Sequence, residues 1–105
     1  MPWTWLAFAA IFEIVWAVGI KYTHGLTRIG PTIPTVLAMF ASFYCLAMAT
    51  RDLPIGTAYA IWTGAGAAGT AILGIVLFDE SRALARVGSI LLIVAGTIGL
   101  KFSTR

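Results

Sequence analysis

Residues Trp3 to Ile20 read WTWLAFAAIFEIVWAVGI, an apolar run with one ionisable side chain, Glu13. Coiled as an α-helix, the run is ~27 Å long at ~1.5 Å per residue, close to the ~30 Å hydrocarbon thickness of a bilayer. Glu13 falls near its middle. An ionised carboxylate there costs roughly 3 kcal/mol on insertion scales, and intramembrane acids mark substrate or ion paths. The run therefore predicts a membrane helix built around a functional acid. The bland alternative is a protonated carboxyl that glues two helices together.

The rest of the chain fits that setting. Of 105 residues, 60% are hydrophobic and only 10% charged, too apolar for a soluble domain of this size and a mark of an integral membrane protein. The net charge of +3 comes from seven Lys and Arg placed mostly just outside apolar runs. That pattern anchors helices at a membrane surface and leaves no basic arm for nucleic acid. Cys45 is the only cysteine, so neither a disulfide within the chain nor a cysteine-based metal site is expected, and no cofactor is called for. No Lys or Arg precedes the first run and Glu13 interrupts it, so the first helix reads as a retained span and not as a signal peptide.

Three more apolar runs follow. Thr32 to Thr50 opens after Pro31, with Pro34 in its first turn, and carries Ser42 and Cys45. The intervening KYTHGLTRIGP reads as a surface loop broken by Gly25, Gly30 and Pro31. Arg51 to Pro54 is so short that helices two and three are expected to be antiparallel neighbours. Ile55 to Phe78 is rich in glycine and alanine, so Gly64, Gly66 and Gly69 are expected to serve close packing or bending. After Asp79 to Arg82 a fourth helix runs over about 84–102, where Ser89 and Gly96, seven apart, suggest a helix-pairing seam. Residues 87–100 between Arg86 and Lys101 span only ~21 Å of helix, so at least one of these cations must snorkel.

The expectation is an all-α membrane protein, one domain of four transmembrane helices (about 3–21, 32–50, 55–78 and 84–102), and not an enzyme. Four helices are few to enclose a path. An inverted second copy would supply the missing half. The cations are nearly balanced across the bilayer, with Lys21, Arg28, Arg82 and Arg86 on one side and Arg51, Lys101, Arg105 and the N-terminal amine on the other.

Spacing gathers a pocket around Glu13. Leu6, Ala9, Ala10, Trp16, Ala17 and Ile20 share its face by the i±3 and i±4 rule. Tyr59 and Trp62 share a face with Gly66 and Gly69 on helix three, and aromatic faces attract cations. Ser42 adds a hydroxyl, unless that hydroxyl bonds its own helix. Ordinary packing is the competing reading for both aromatics. Trp3 and Trp5 read as an interfacial belt, and Lys101 as an anchor.

The segments IFEIVWAVGIKYTHGLTR, LPIGTAYAIWTGAGAAG and IGLKFST resemble the small multidrug resistance family over essentially the whole chain, and Trp16 and Lys101 resemble its guanidinium-exporter subtype. Ala10, where glycine is common, and Pro34 depart from the family pattern. The resemblance implies an antiparallel, dual-topology homodimer in a bacterial inner membrane, exporting small cations in exchange for protons. It implies that Glu13 carries substrate and proton in turn, that Trp16 and Ser42 hydrogen-bond Glu13, and that Tyr59 and Trp62 line the pocket. Rival readings are a broad quaternary-ammonium exporter, a dual-topology ion channel and a structural membrane subunit.

Overall fold

Long apolar stretches leave the backbone little choice in an apolar solvent, because only a helix satisfies every N–H and C=O locally. The computed structural model describes residues 2–103, so Arg105 lies outside the described residues. Its helices are α1 (Pro2–Tyr22), α2 (Ile29–Ala49), α3 (Ile55–Phe78) and α4 (Leu84–Ser103), with no strand among the described residues. Each is long and apolar enough to cross a membrane.

The second helix starts at Ile29, three residues before the expected Thr32. Gly30 and Pro31 lie inside its first turn instead of breaking it, because first-turn N–H groups have no helical partner and proline loses nothing there. Pro34 accordingly falls in the second turn, where its missing N–H does remove a helical bond. The true connection is Thr23 to Arg28. Buried Thr23 organises it: its Oγ1 donates to Ile20 O (2.7 Å) and accepts from Leu26 N (3.0 Å), while its carbonyl accepts the N–H groups of Thr27 and Arg28. These bonds hold His24, Gly25 and Leu26 at positive φ, a region costly for the two non-glycine residues.

The helices form a slab with extents of 42 × 34 × 16 Å, in which α1 packs against both α2 and α3, and α4 packs mainly against α3. Helices two and three are thus not the side-by-side neighbours that their short connection suggested. They touch near the connection and at Trp62, and α1 lies between them along most of their length. Small residues make this arrangement possible. Ala9, Ala49 and Ala58 are fully buried where three helices meet, with Leu6, Cys45, Ile61 and Trp62 completing the core.

The glycines of α3 serve both of its neighbours. A Cβ at Gly69 would collide with Ile14 of α1, whose Cγ1 would lie 2.9 Å away, and one at Gly64 would collide with Thr97 Oγ1 of α4. The helix runs unbroken through Gly64-Ala65-Gly66, so close packing is the use the structure makes of these glycines. On α4, Ser89 and Gly96 are exposed and face no other helix of the chain. Ile90 is the buried residue of that helix.

Candidate functional site

Glu13 projects from α1 onto α3 and lies against Gly66. A Cβ at Gly66 would stand inside the carboxylate and only 2.9 Å from Glu13 Cγ, so the acid occupies the space a side chain would have filled. Its Oε1 is buried and has no hydrogen-bond partner within the subunit. Trp16, one turn further along α1, likewise buries its indole N–H without a partner. In an apolar medium an unsatisfied polar group costs several kcal/mol. An acceptor and a donor left over three residues apart on one helix are groups held ready for something outside the subunit.

Ser42 and Trp62 are tied to each other and not to Glu13. Ser42 Oγ donates to Ala9 O at 2.6 Å, and Trp62 Nε1 donates to Ser42 Oγ at 2.9 Å and to Ala9 O at 3.2 Å. Ala9 O is the carbonyl one helical turn before Glu13. Helices α1, α2 and α3 are therefore knotted together directly beside the acid. Ser42 bonds neither its own helix nor the carboxylate, and the Trp16 and Ser42 bonds to Glu13 that the resemblance implied are not made in the single subunit. Losing the hydroxyl removes two of the knot's three bonds, at about 0.5–1.5 kcal/mol each, and leaves the indole N–H only its longer bond to Ala9 O. Ser42→Ala should therefore lower the thermal midpoint in detergent, whereas Ser42→Thr, which keeps the hydroxyl, should restore part of the loss. Equal midpoints for Ser42→Ala and wild type would show that the knot carries no stability.

An aromatic string runs across α3, α2 and α1. Tyr59 lies 5.6 Å from Trp62, Trp62 lies 5.9 Å from Phe43, and Phe43 lies 6.4 Å from Trp16, centroid to centroid. The structure thus joins Trp16, Ser42, Tyr59 and Trp62 into one contiguous set across α1, α2 and α3, while the cavity that holds Glu13 is lined by none of them. Tyr59 is 55% exposed in the subunit and Trp62 8%. Phe43, the link between the two tryptophans, is the member that sequence reading missed. Nothing distinguishes it there from Phe40, which points outward at 68% exposure. Lys101 Nζ sits 5.6 Å from the Trp3 ring, so the start of α1 and the end of α4 meet on one face, and Lys21 Nζ sits 5.3 Å from Phe78 on the other.

Comparison with known proteins gives this arrangement a context. The sequence model described as Small Multidrug Resistance protein matches residues 1–93. The chain belongs to the small multidrug resistance family. Relatives of this small multidrug resistance protein match it end to end. One from Citrobacter freundii is 57% identical over 99% of both chains. Another from Yersinia pseudotuberculosis is 56% identical over 99% of this chain and 100% of its own, and one from Escherichia coli K12 is 56% identical over 99% of both. Each of the three is named a guanidinium exporter. Family and fold together make the chain a multi-pass protein of the bacterial inner membrane, and a transporter, not an enzyme.

Proposed function

We propose that this protein exports guanidinium and small substituted guanidinium cations in exchange for protons, with Glu13 carrying each in turn. The observation that carries the reading is the Glu13 carboxylate, buried on Gly66 with an oxygen that no group of the subunit bonds. Similarity along the whole chain to proteins named guanidinium exporters supports the choice of cation.

Guanidinium is planar and permanently charged, and its N–H groups pair with a carboxylate through two parallel bonds. A proton or the cation can occupy those oxygens, not both. An empty, ionised Glu13 is too costly to carry across the bilayer, so only loaded forms change sides and the two fluxes are coupled. The second copy needed to close the path sits inverted on the first, and the outward Ser89–Gly96 face of α4 offers it a close-packing surface. Trp16, with its free indole N–H, orients the loaded carboxylate, while Tyr59 and Trp62 line the pocket. Ser42 acts through the Ala9 carbonyl to hold α1 in register.

The test is flux in proteoliposomes under a pH gradient, comparing guanidinium with tetraethylammonium. Proton-coupled movement of guanidinium in preference to tetraethylammonium is expected; equal movement of both would favour a broad quaternary-ammonium exporter. Topology offers a separate check, since the near balance of cations across the two faces implies an inverted pair. Cysteine labelling of a C-terminal tag in cells should find both orientations in comparable amounts, and adding two lysines beside Arg51 should drive one orientation and depress transport. A uniform wild-type orientation would remove the inverted homodimer.

A further inference from the structure

The groove between α1 and α3 holds two carboxylates. Glu13 lies against Gly66, and Glu80, from the α3–α4 connection, lies in the same way against Gly74, where a Cβ would meet its Cδ at 2.9 Å and its Oε2 at 3.3 Å. Gly66, Thr70 and Gly74 are four residues apart and so form one row along α3, ~12 Å from end to end. All of these residues line a single cavity of about 360 Å3.

The middle of the row is polar and unsatisfied. A hydroxyl on a membrane helix commonly bonds the carbonyl four residues back, as Ser89 does to Ala85 O and Thr97 to Ile93 O, both at 2.8 Å. Thr70 does not, and its buried Oγ1 has no partner in the subunit.

At the outer end of the row the protein shows which cation Glu80 accepts. Arg86 Nη2 donates to Glu80 Oε1 at 2.7 Å, so the carboxylate already holds a guanidinium. It holds it by one point only, while Arg86 Nε is buried without a partner. A free guanidinium, unconstrained by a side chain, can make the two-point fork that Arg86 does not make there.

We infer that Glu80 is a second, outer binding position for the guanidinium-type cation, occupied by displacing Arg86 and joined to Glu13 by the row Gly66–Thr70–Gly74. The inference rests on the guanidinium-export reading of Glu13. Arg86 is then a tethered competitor for the transported cation. This makes an unusual demand: loss of Glu80 and loss of Arg86 must have opposite effects. An ion pair that merely fastens the α3–α4 connection demands the reverse, since either loss breaks the same bond.

The experiment is the concentration dependence of initial guanidinium exchange rates in proteoliposomes for wild type, Glu80→Gln and Arg86→Gln. The pair is partly exposed, 35% and 40% for the two side chains, so the expected shifts are modest. Glu80→Gln should raise KM about two- to fivefold and Arg86→Gln should lower it by a similar factor. Shifts in the same direction, or no shift in either, would overturn the outer position. If Glu80→Gln fails to insert, Arg86→Gln decides alone, and an unchanged or raised KM counts against the inference. Wild type that exchanges no guanidinium would remove the Glu13 reading and this one together. Wild-type exchange with KM unmoved by both substitutions would remove this one only.

Discussion

Glu13→Gln should insert and dimerise like the wild type yet lose proton-coupled exchange of guanidinium by at least about a hundredfold, the scale set by deleting one partner of a buried charge pair. Glutamine keeps the shape that fits against Gly66 and removes both the negative charge and the proton that must alternate with the cation. Two measurements are needed together: size and thermal midpoint in detergent, to show that the fold survives, and exchange in proteoliposomes. An intact dimer with wild-type exchange would mean that the acid is structural and that the path lies elsewhere. Glu13→Asp would separate charge from reach. It retains the titratable group but draws it back from Gly66, so exchange should persist at a reduced rate.

The second large effect is on selectivity. A site that hydrogen-bonds its ligand rejects analogues without donors far more strongly than it rejects added methylenes. Each bond to a charged group contributes about 1.5–3 kcal/mol, so tetramethylammonium should exchange roughly ten- to a hundredfold more slowly than guanidinium, while singly alkylated guanidiniums should be tolerated. Trp16 supplies the test within the protein, because its indole N–H is buried without a partner one turn from Glu13 and its ring abuts Phe43. Trp16→Gly removes the donor and opens space beside the carboxylate. The ratio of ethylguanidinium to tetrapropylammonium rates should fall sharply in that variant. An unchanged ratio, or wild type that moves both equally, would replace an oriented carboxylate with simple charge attraction.

The parts of this structure that were legible in the sequence are those written in composition. Four helices follow from apolar length, and Glu13 stands out because a carboxylate in such a run has no inexpensive reason to be there. The shared face of Tyr59 and Trp62 follows from helical spacing, and the rings do lie together. What escaped depends on relations that spacing does not encode. The start of α2 is hidden in the sequence because Gly30 and Pro31 look like breakers and are in fact tolerated in a first turn. A short connection makes helices two and three look like neighbours, but a connection joins ends, and the alanines of α1 let it lie between them. The Ser42–Trp62 knot passes through a backbone carbonyl of Ala9, which carries no side-chain signature. For the same reason the part played by Gly66 is clear only once Glu13 is seen lying against it.

The most direct test of the account is to load proteoliposomes with guanidinium and a pH-sensitive dye, dilute them into guanidinium-free buffer of equal pH, and follow the internal pH. Coupled exchange through Glu13 predicts that guanidinium leaving the vesicle draws protons in, acidifying the lumen in wild type and leaving it unchanged in Glu13→Gln. Guanidinium efflux without acidification, or acidification that survives in Glu13→Gln, would contradict it.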